Sequence, residues 1–221
     1  DFEFPKRIML RNQGNYVPWQ VLIEKLERHL LEIENKTYNT KRGSEKVNFI
    51  RKQISNQCLA FSSRRRGLYK LTVPTGGGKT LSSLRFALHH AKEHKMDRIV
   101  YIIPYTSIID QNAETVREIL EEKTKEGNYQ NYIVLEHHSN LTPEEETSRL
   151  KLLAENWDAP LVFTTMVRFL ESMFGYGTRN IRRMHQLANA VIIFDEVQTL
   201  PIRCVHLFNV TVRFLIKVCG S

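Results

Sequence analysis

Residues 71–80 of the chain read Leu71-Thr72-Val73-Pro74-Thr75-Gly76-Gly77-Gly78-Lys79-Thr80. An apolar run ends there in three glycines, and a helical pattern begins directly after them. Glycines in this position let successive backbone N–H groups point at an anion with no Cβ in the way, and the following helix directs the positive end of its dipole to the same place. The stretch predicts a nucleotide-phosphate loop over residues 75–80, in which Lys79 reaches the β- and γ-phosphates of ATP and Thr80 ligates Mg²⁺.

The loop departs from the common G-x-x-x-x-G-K-[ST] pattern, because Val73 stands where that pattern has its first glycine. A plain glycine turn between a strand and a helix is the alternative interpretation. Residues 69–73 have the pattern of a strand and residues 80–94 that of an amphipathic helix, and these flanks favour the phosphate loop.

The composition bounds the class of protein. A chain of 221 residues with 42% hydrophobic content can bury one large core. No apolar run approaches the roughly 18 residues of a membrane-spanning helix, so no membrane partner is expected. The three cysteines, Cys58, Cys204 and Cys219, are widely spaced. This spacing indicates reduced thiols in a cytoplasmic protein and offers no zinc site.

The net charge of +8 is unevenly distributed. Residues 1–70 carry 15 Lys and Arg against 7 Asp and Glu, whereas the rest of the chain is balanced. The local peak is Arg64-Arg65-Arg66. A basic excess of this size is typical of proteins that bind a polyanion, and a solvated linker is an equal alternative for the three arginines alone.

The order of the predicted elements indicates an α/β fold with an N-terminal helical extension. Two helices, at residues 18–36 and 44–61, come first. Strands are predicted at residues 69–73, 98–103, 133–135, 161–164 and 190–194, and helices at 80–94, from 107, from 142, at 166–174, 179–183 and 205–218. Apolar strands that alternate with helices predict a mainly parallel sheet between helix layers. We expect the extension to occupy residues 1–43 and the main domain residues 44–221.

Two carboxylates follow the last apolar strand at Asp195 and Glu196. Ligand sites of parallel sheets collect at the carboxyl ends of the strands, where the glycine loop also lies. We therefore predict that Asp195 holds Mg²⁺ opposite Thr80 and that Glu196 aligns and deprotonates the water that attacks the γ-phosphorus. An acidic turn that caps the next helix is the alternative.

Hydroxyl side chains follow two other strands at the same edge, in Pro104-Tyr105-Thr106 and in Thr164-Thr165. Hydroxyls and helix-start N–H groups suit phosphodiester oxygens, and Tyr105 could stack on a base. Both stretches could equally be helix caps. His137-His138-Ser139-Asn140 follows a further strand and fits a nucleic-acid contact, an interdomain contact or a hydrogen-bonded turn.

Five stretches of the sequence share their wording with one protein family: VPTGGGKT (73–80), IPYTSIIDQN (103–112), LEHHSN (135–140), ENWDAP (155–160) and FDEVQTLP (194–201). They resemble the CRISPR-associated helicase–nuclease family of type I interference systems, a branch of superfamily 2. The resemblance implies a RecA-like P-loop NTPase domain. It also implies an ATP-driven translocase that moves 3′ to 5′ on single-stranded DNA in antiviral defence. In that family an RNA-guided surveillance complex recruits the protein, and an HD nuclease domain degrades the DNA.

The same resemblance implies roles for individual residues. Residues 76–80 match motif I, and Asp195-Glu196-Val197-Gln198 matches motif II, in which Gln198 links hydrolysis to movement. Pro104-Tyr105-Thr106 matches motif Ia and Thr164-Thr165 matches motif Ib, the DNA-backbone contacts of the first RecA-like domain. Candidates for an adenine contact upstream of motif I are Asn48, Arg51 and Gln57.

Other parts of the family pattern are not found in the sequence. No Ser/Thr-Ala-Thr motif III follows residue 201, no second RecA-like domain supplies an arginine, and no His-Asp dipeptide marks a nuclease. We therefore expect the first motor domain with part of a connection from an upstream HD nuclease, and weak nucleotide binding and hydrolysis by the chain in isolation. A helicase-like subunit of a restriction or repair system and a nucleotide-gated binding module are the alternatives.

Overall fold

A computed structural model describes residues 17–37, 44–74, 76–123, 133–138, 153 and 156–221. The helices are α1 (Trp19–Thr37), α2 (Ser44–Ser62), α3 (Lys79–Glu93), α4 (Thr106–Leu120), α5 (Met166–Phe174), α6 (Thr178–Gln186) and α7 (Ile202–Phe214). The strands are β1 (Arg98–Ile103), β2 (Val134–His137), β3 (Leu161–Thr165) and β4 (Ala190–Phe194). A 3₁₀ turn (Val197–Thr199) precedes α7, and a π-helical turn (Leu215–Cys219) follows it.

Within the described residues the strands form one parallel sheet in the order β2-β3-β1-β4. Ile102 of β1 lies beside Thr164 of β3 on one side and Phe194 of β4 on the other. The carboxyl ends of these three strands therefore meet at one edge, which places the residues that follow them close together. The predicted α/β fold with a mainly parallel sheet is confirmed.

Helices cover both faces of the sheet, as the apolar strands require. Side chains of β1 alternate between two apolar clusters: Ile99, Tyr101 and Ile103 pack with α1, α3 and α4, whereas Val100 and Ile102 pack with α5 and the π-helical turn. All six residues of β1 are buried. The structure thus has a helix–sheet–helix arrangement with β1 at its centre.

Helix α1 is integrated into the first of these clusters. Trp19, Leu22 and Leu26 are buried against α3 and α4, and the indole Nε1 of Trp19 donates a hydrogen bond of 2.9 Å to the Met96 carbonyl. Lys25 Nζ also donates to the Leu120 carbonyl at 2.9 Å. The division into an extension over residues 1–43 and a domain over 44–221 stays a prediction, and residues 1–16 and 38–43 lie outside the described residues.

Most large apolar side chains of α2 are exposed rather than buried. Cys58 is buried, but Val47, Ile50 and Phe61 each expose a large part of their side chains. The helix is instead held by polar contacts, because Arg85 of α3 donates to Ser55 Oγ at 3.1 Å and to the Asn56 side chain at 2.9 Å. The pattern of residues 44–61 therefore predicted the helix correctly, although most of its large apolar side chains are not buried.

The strand predicted at residues 69–73 is wrong, because residues 68–74 have no regular secondary structure. Leu68 is 75% exposed, and Tyr69 packs its ring against Phe86 and His90 of α3 with centroids 5.3 and 6.0 Å apart. Contacts with α3 thus take the place of pairing with the sheet edge, and Pro74 has no N–H with which to extend a ladder.

The remaining described elements agree with the predictions to within a few residues, and α5 and β4 have the predicted bounds. The helix predicted from residue 142 lies outside the described residues. None of the described helices is both long and apolar enough to cross a membrane.

Candidate functional site

The predicted phosphate loop and the predicted carboxylates meet at the carboxyl edge of the sheet. The backbone N–H of Asp195 donates to the Ile102 carbonyl at 2.9 Å, so β4 stays paired with β1 one residue beyond its end. This bond fixes the direction of the Asp195 side chain. Lys79, the first residue of α3, lies directly opposite it.

The glycine loop has a backbone that other residues rarely adopt. Gly76 and Gly78 have φ angles of 77° and 78°, in the left-handed region that favours glycine. Gly77 has a different constraint: a Cβ there would lie 2.4 Å from Val73 Cγ1 and 2.9 Å from the Pro74 carbonyl oxygen. Each of the three glycines is therefore required by the turn that leads into α3. Thr75, also predicted to bind phosphate, lies outside the described residues.

Lys79 is paired with both predicted catalytic carboxylates. Its Nζ lies 3.1 Å from Asp195 Oδ1 and also donates a hydrogen bond to Glu196 Oε1. The bond to Glu196, supported by Asp195, raises the pKa of Lys79 against the opposing effect of burial. The same bond, with one from Gln198, lowers the pKa of Glu196. One lysine thus faces two carboxyl side chains, an excess of acidic groups that a further cation would compensate.

Glu196 has an uncommon backbone conformation. Its φ of 50° and ψ of 42° are in the left-handed region, and its N–H donates to Asp195 Oδ1 at 3.0 Å. Strain of this kind is maintained only where the surrounding structure enforces it and is concentrated at functional sites. Gln198 Nε2 donates to Glu196 Oε2, so Gln198 is joined through Glu196 to Lys79.

The hydroxyl of Thr80 contacts a residue that the sequence analysis did not single out. Thr80 Oγ1 donates to Asn112 Oδ1 of α4 at 3.3 Å. A hydroxyl has one proton to donate and two lone pairs, so this bond leaves its lone pairs available for a metal ion. Asn112 lies 32 residues away in sequence, and the one signal for it was its place in the stretch of residues 103–112 that resembles the helicase family.

Of the candidate adenine contacts, Arg51 touches the phosphate loop itself. Arg51 Nε donates to the Gly76 carbonyl at 2.8 Å, and its Nη1 lies 3.4 Å from Asn48 Oδ1. Gln57 is exposed farther along α2. Arg51 thus holds the backbone of the loop, whereas an adenine contact by any of the three stays a prediction.

The first predicted nucleic-acid segment, Pro104, Tyr105 and Thr106, joins β1 to α4 at the same edge. The Tyr105 carbonyl accepts the first N–H groups of α4, from Ile108 and Ile109, each at 3.2 Å. Its ring is 55% exposed. The geometry is that of a helix start with an aromatic side chain presented to solvent.

The second predicted nucleic-acid segment has only one residue at the surface. Thr164 is fully buried, and its hydroxyl donates to the His137 carbonyl at 2.9 Å. Burial therefore does not support the predicted contact between the Thr164 side chain and DNA. Thr165 is partly exposed and caps α5, with its hydroxyl accepting the Arg168 N–H at 3.2 Å.

His137 and His138 form a bonded turn at the end of β2. Trp157 Nε1 donates to His137 Nδ1 at 3.2 Å, and burial lowers the pKa of His137 to about 3, so the ring is neutral. His138 is buried, with its Nε2 2.9 Å from Asp110 Oδ1 and 3.8 Å from Glu136 Oε2. Arg117 also pairs with Glu136. These side chains join β2 to α4, which is the hydrogen-bonded alternative of the prediction.

Two comparisons with known proteins bear on this site. A protein family described as "Type III restriction enzyme, res subunit" matches residues 22–202. The CRISPR-associated nuclease/helicase Cas3 of Haloferax volcanii is 33% identical over 153 residues, which cover 59% of this chain and 16% of that protein. The chain therefore spans about a sixth of the length of this curated relative.

The family match extends from α1 to the start of α7 and includes the phosphate loop and both carboxylates. The resemblance seen in the five motifs is confirmed by these comparisons. The chain belongs to the family of the type III restriction enzyme res subunit, a helicase domain family, and it is similar to the first motor domain of Cas3.

Proposed function

We propose that this chain binds ATP with Mg²⁺ at the edge formed by residues 75–80, Asp195 and Glu196, and that hydrolysis drives movement along single-stranded DNA. The observation that carries the proposal is the convergence of Lys79, Asp195 and Glu196 beside a glycine loop, at the carboxyl edge of a parallel sheet. Parallel α/β sheets bind their ligands at this edge.

The side chains present suit a nucleotide with its metal ion. The N–H groups of the glycine loop and the start of α3 would hold the phosphates, and Lys79 would turn from the carboxylates to the β- and γ-phosphates. The Thr80 hydroxyl and the Asp195 carboxylate would hold Mg²⁺, which supplies charge neutralisation on the phosphate oxygens. Because two acidic side chains face one lysine, the site has an excess of negative charge that favours binding of such a cation.

Glu196 would activate the attacking water, and Gln198 would link hydrolysis to movement. The Glu196 carboxylate would orient the attacking water and take its proton once Lys79 has turned to the phosphates. The amide of Gln198 is bonded to the other oxygen of this carboxylate. A change in the position of Glu196 during the reaction therefore moves Gln198, which is our proposed link between hydrolysis and movement.

The nucleic-acid strand would cross the same edge of the sheet. Tyr105 presents an exposed ring, Thr106 begins α4 and Thr165 caps the start of α5, so two helix N-termini and two threonines lie where backbone phosphates would pass. The Thr164 hydroxyl is occupied by the His137 carbonyl, and we assign it to holding β2 and β3 together.

The wider role rests on the relative. Cas3 is described as a CRISPR-associated nuclease/helicase. We propose antiviral defence in the cytoplasm together with an RNA-guided surveillance complex, an upstream HD nuclease domain and a second RecA-like domain. The matched family is described as a restriction enzyme subunit, and this favours a restriction system as the second candidate.

The test is ATP hydrolysis by the full gene product, with and without single-stranded DNA. Lys79→Ala should lower the DNA-stimulated rate at least about 100-fold, because charge stabilisation of the transferred phosphoryl group is lost. Glu196→Gln should bind ATP but fail to hydrolyse it. Lys70→Ala, an exposed lysine just before the loop, is the matched control and should keep the full rate.

Hydrolysis by Lys79→Ala at the rate of the unaltered protein would refute the ATPase. ATP binding without DNA stimulation would favour a nucleotide-gated binding module. Stimulation that needs a target-bound RNA-guided complex would favour CRISPR interference, and stimulation by modified or unmodified restriction sites would favour the second candidate.

A further inference from the structure

A groove between α5 and α6 lies outside the proposed ATP site and is lined mainly by polar and basic side chains. It has a volume of about 520 Å³ and is lined by Arg168, Glu171, Tyr176, Gly177, Thr178, Arg179, Asn180 and Arg183. Residues 166–186 contain four arginines and one carboxylate. A strongly basic groove with one acidic residue suits an anionic ligand.

Tyr176 stands at the mouth of this groove and is fully exposed. The backbone around it is fixed: Asn180 Nδ2 donates to the Tyr176 carbonyl at 3.0 Å, and Gly175 N donates to the Glu171 carbonyl at 2.7 Å. Gly177, which directly precedes α6, has a φ of 100°. The backbone of the turn is therefore fixed by hydrogen bonds, while the Tyr176 ring is exposed and open to stacking by a base.

The groove is continuous with the candidate DNA-binding edge. The Arg168 N–H is bonded to the Thr165 hydroxyl at 3.2 Å, so the first arginine of the groove lies one helical turn from that residue. Arg183 is buried with its guanidinium 6.0 Å from the Trp157 ring. Both arginines also contribute to the lowered pKa of His137 after burial, which places their positive charge near the end of β2.

We propose that this groove is a subsite for single-stranded nucleic acid, with phosphates beside Arg168 and Arg179 and a base stacked on Tyr176. The inference rests on the proposed function, since the strand would be the one that crosses Thr165. Glu171 pairs with Arg168 at 3.0 Å and restrains its guanidinium. An acidic protein segment would match the arginines but gives no reason for the exposed ring, so the nucleic acid is favoured.

The test is fluorescence anisotropy with a fluorescein-labelled thymidine oligonucleotide and the purified protein, without nucleotide. Tyr176→Ala should raise the Kd about tenfold, or ~1.4 kcal/mol, as loss of one stacked base does. Tyr176→Phe should keep the Kd, because the ring remains. On an oligonucleotide of the same length with abasic sites, the Tyr176→Ala effect should vanish.

The proposed contacts between arginines and phosphates are tested by the salt dependence of the Kd. Arg179→Gln should reduce the slope of log Kd against log salt concentration by about 0.7, the value for one phosphate contact on a single strand. Arg28→Gln, an exposed arginine of α1 on the opposite face of the sheet, should leave the slope unchanged. Circular dichroism melting of each variant checks that the fold is intact.

The subsite is refuted if Tyr176→Ala binds the thymidine probe as Arg28→Gln does, or if its effect is the same on the abasic probe. Displacement of the probe by poly-glutamate at equal charge, with no effect of Tyr176→Ala, would assign the groove to an acidic protein segment. If the unaltered protein did not bind ATP, this would count against the proposed ATPase but would not affect the conclusion from the oligonucleotide measurements.

Discussion

The buried carboxyl of Glu121 should make the free energy of unfolding depend on pH. It directly follows α4 and is 7% exposed, and its Oε1 accepts the N–H groups of Ile133 at 2.8 Å and Val134 at 2.7 Å. Burial raises the pKa of this carboxyl from 4.5 to about 7, although both N–H donors and Arg117 act in the opposite direction.

A raised carboxyl pKa means that the folded chain binds the proton more tightly than the unfolded chain. The stabilisation that the protonated Glu121 carboxyl gives to the folded chain is fully present below about pH 4.5 and is lost as the pH rises through about 7. Each pKa unit corresponds to about 1.4 kcal/mol, so the shift of Glu121 lowers the free energy of unfolding by about 3 kcal/mol between pH 4.5 and pH 8.

Glu121→Gln should remove this loss, because the amide oxygen can accept the same two N–H groups without a charge. Urea unfolding at pH 8 should show the variant to be more stable than the unaltered protein by about 2–3 kcal/mol. At pH 4.5 the two should be equal. With about 2–4 °C per kcal/mol for a chain of this size, the melting temperature at pH 8 should rise by roughly 4–12 °C.

Glu122→Gln is the matched control, because the next carboxylate is exposed and pairs with Lys25 at 3.1 Å. Its effect should stay within about 0.5 kcal/mol at either pH, as is usual for surface pairs. The reasoning fails if Glu121→Gln gives no gain at pH 8, or if Glu122→Gln gives the same gain.

Three further substitutions test the loop, the proposed metal ligand Thr80 and the first helix. Gly77→Ala should weaken binding of a fluorescent ATP analogue more than about tenfold with little change in melting temperature, since the added methyl group has no room in the turn; equal affinity would contradict the loop geometry. Asn112→Ala should weaken analogue binding about three- to tenfold in Mg²⁺ but not in EDTA, the value of one hydrogen bond to the Thr80 hydroxyl. Gln111→Ala is its exposed control on the same helix. Leu22→Ala should lower the free energy of unfolding by about 2–5 kcal/mol and Leu31→Ala by less than about 0.5 kcal/mol; a small effect of Leu22→Ala would mean that α1 is a separable extension.

Local patterns predicted those elements whose burial follows directly from their sequence. The run from Ile99 to Ile103 is apolar on both faces, and β1 is one of the two inner strands of the described sheet. The threonine at position 165 and the glycine at 175 bracket α5 as a cap and a stop. In each case the decisive interactions are made within a few residues, so that the sequence alone contains them.

The errors occurred where a distant contact decides the outcome. Residues 69–73 have the composition of a strand, but Tyr69 packs on α3. Thr164 and Thr165 look alike in sequence, yet the alternation of a strand places one in the core and the other at the edge. The contact between Thr80 and Asn112 spans 32 residues, and no local pattern could have predicted it.

The ion pairs of Lys79 bear on how the nucleotide site would work. Two carboxylates and an ammonium satisfy one another at the edge of the sheet, and all three side chains remain partly exposed. Exposed pairs of this kind contribute at most about 1 kcal/mol each, so phosphate can displace Lys79 at little cost while the backbone of the loop stays in place. The Thr80 hydroxyl remains bonded to Asn112 of α4, the helix that begins beside the exposed ring of Tyr105. We propose that a ligand on Thr80 would act through Asn112 on α4, and that this helix, which starts beside Tyr105, would carry the effect from the nucleotide to the nucleic acid.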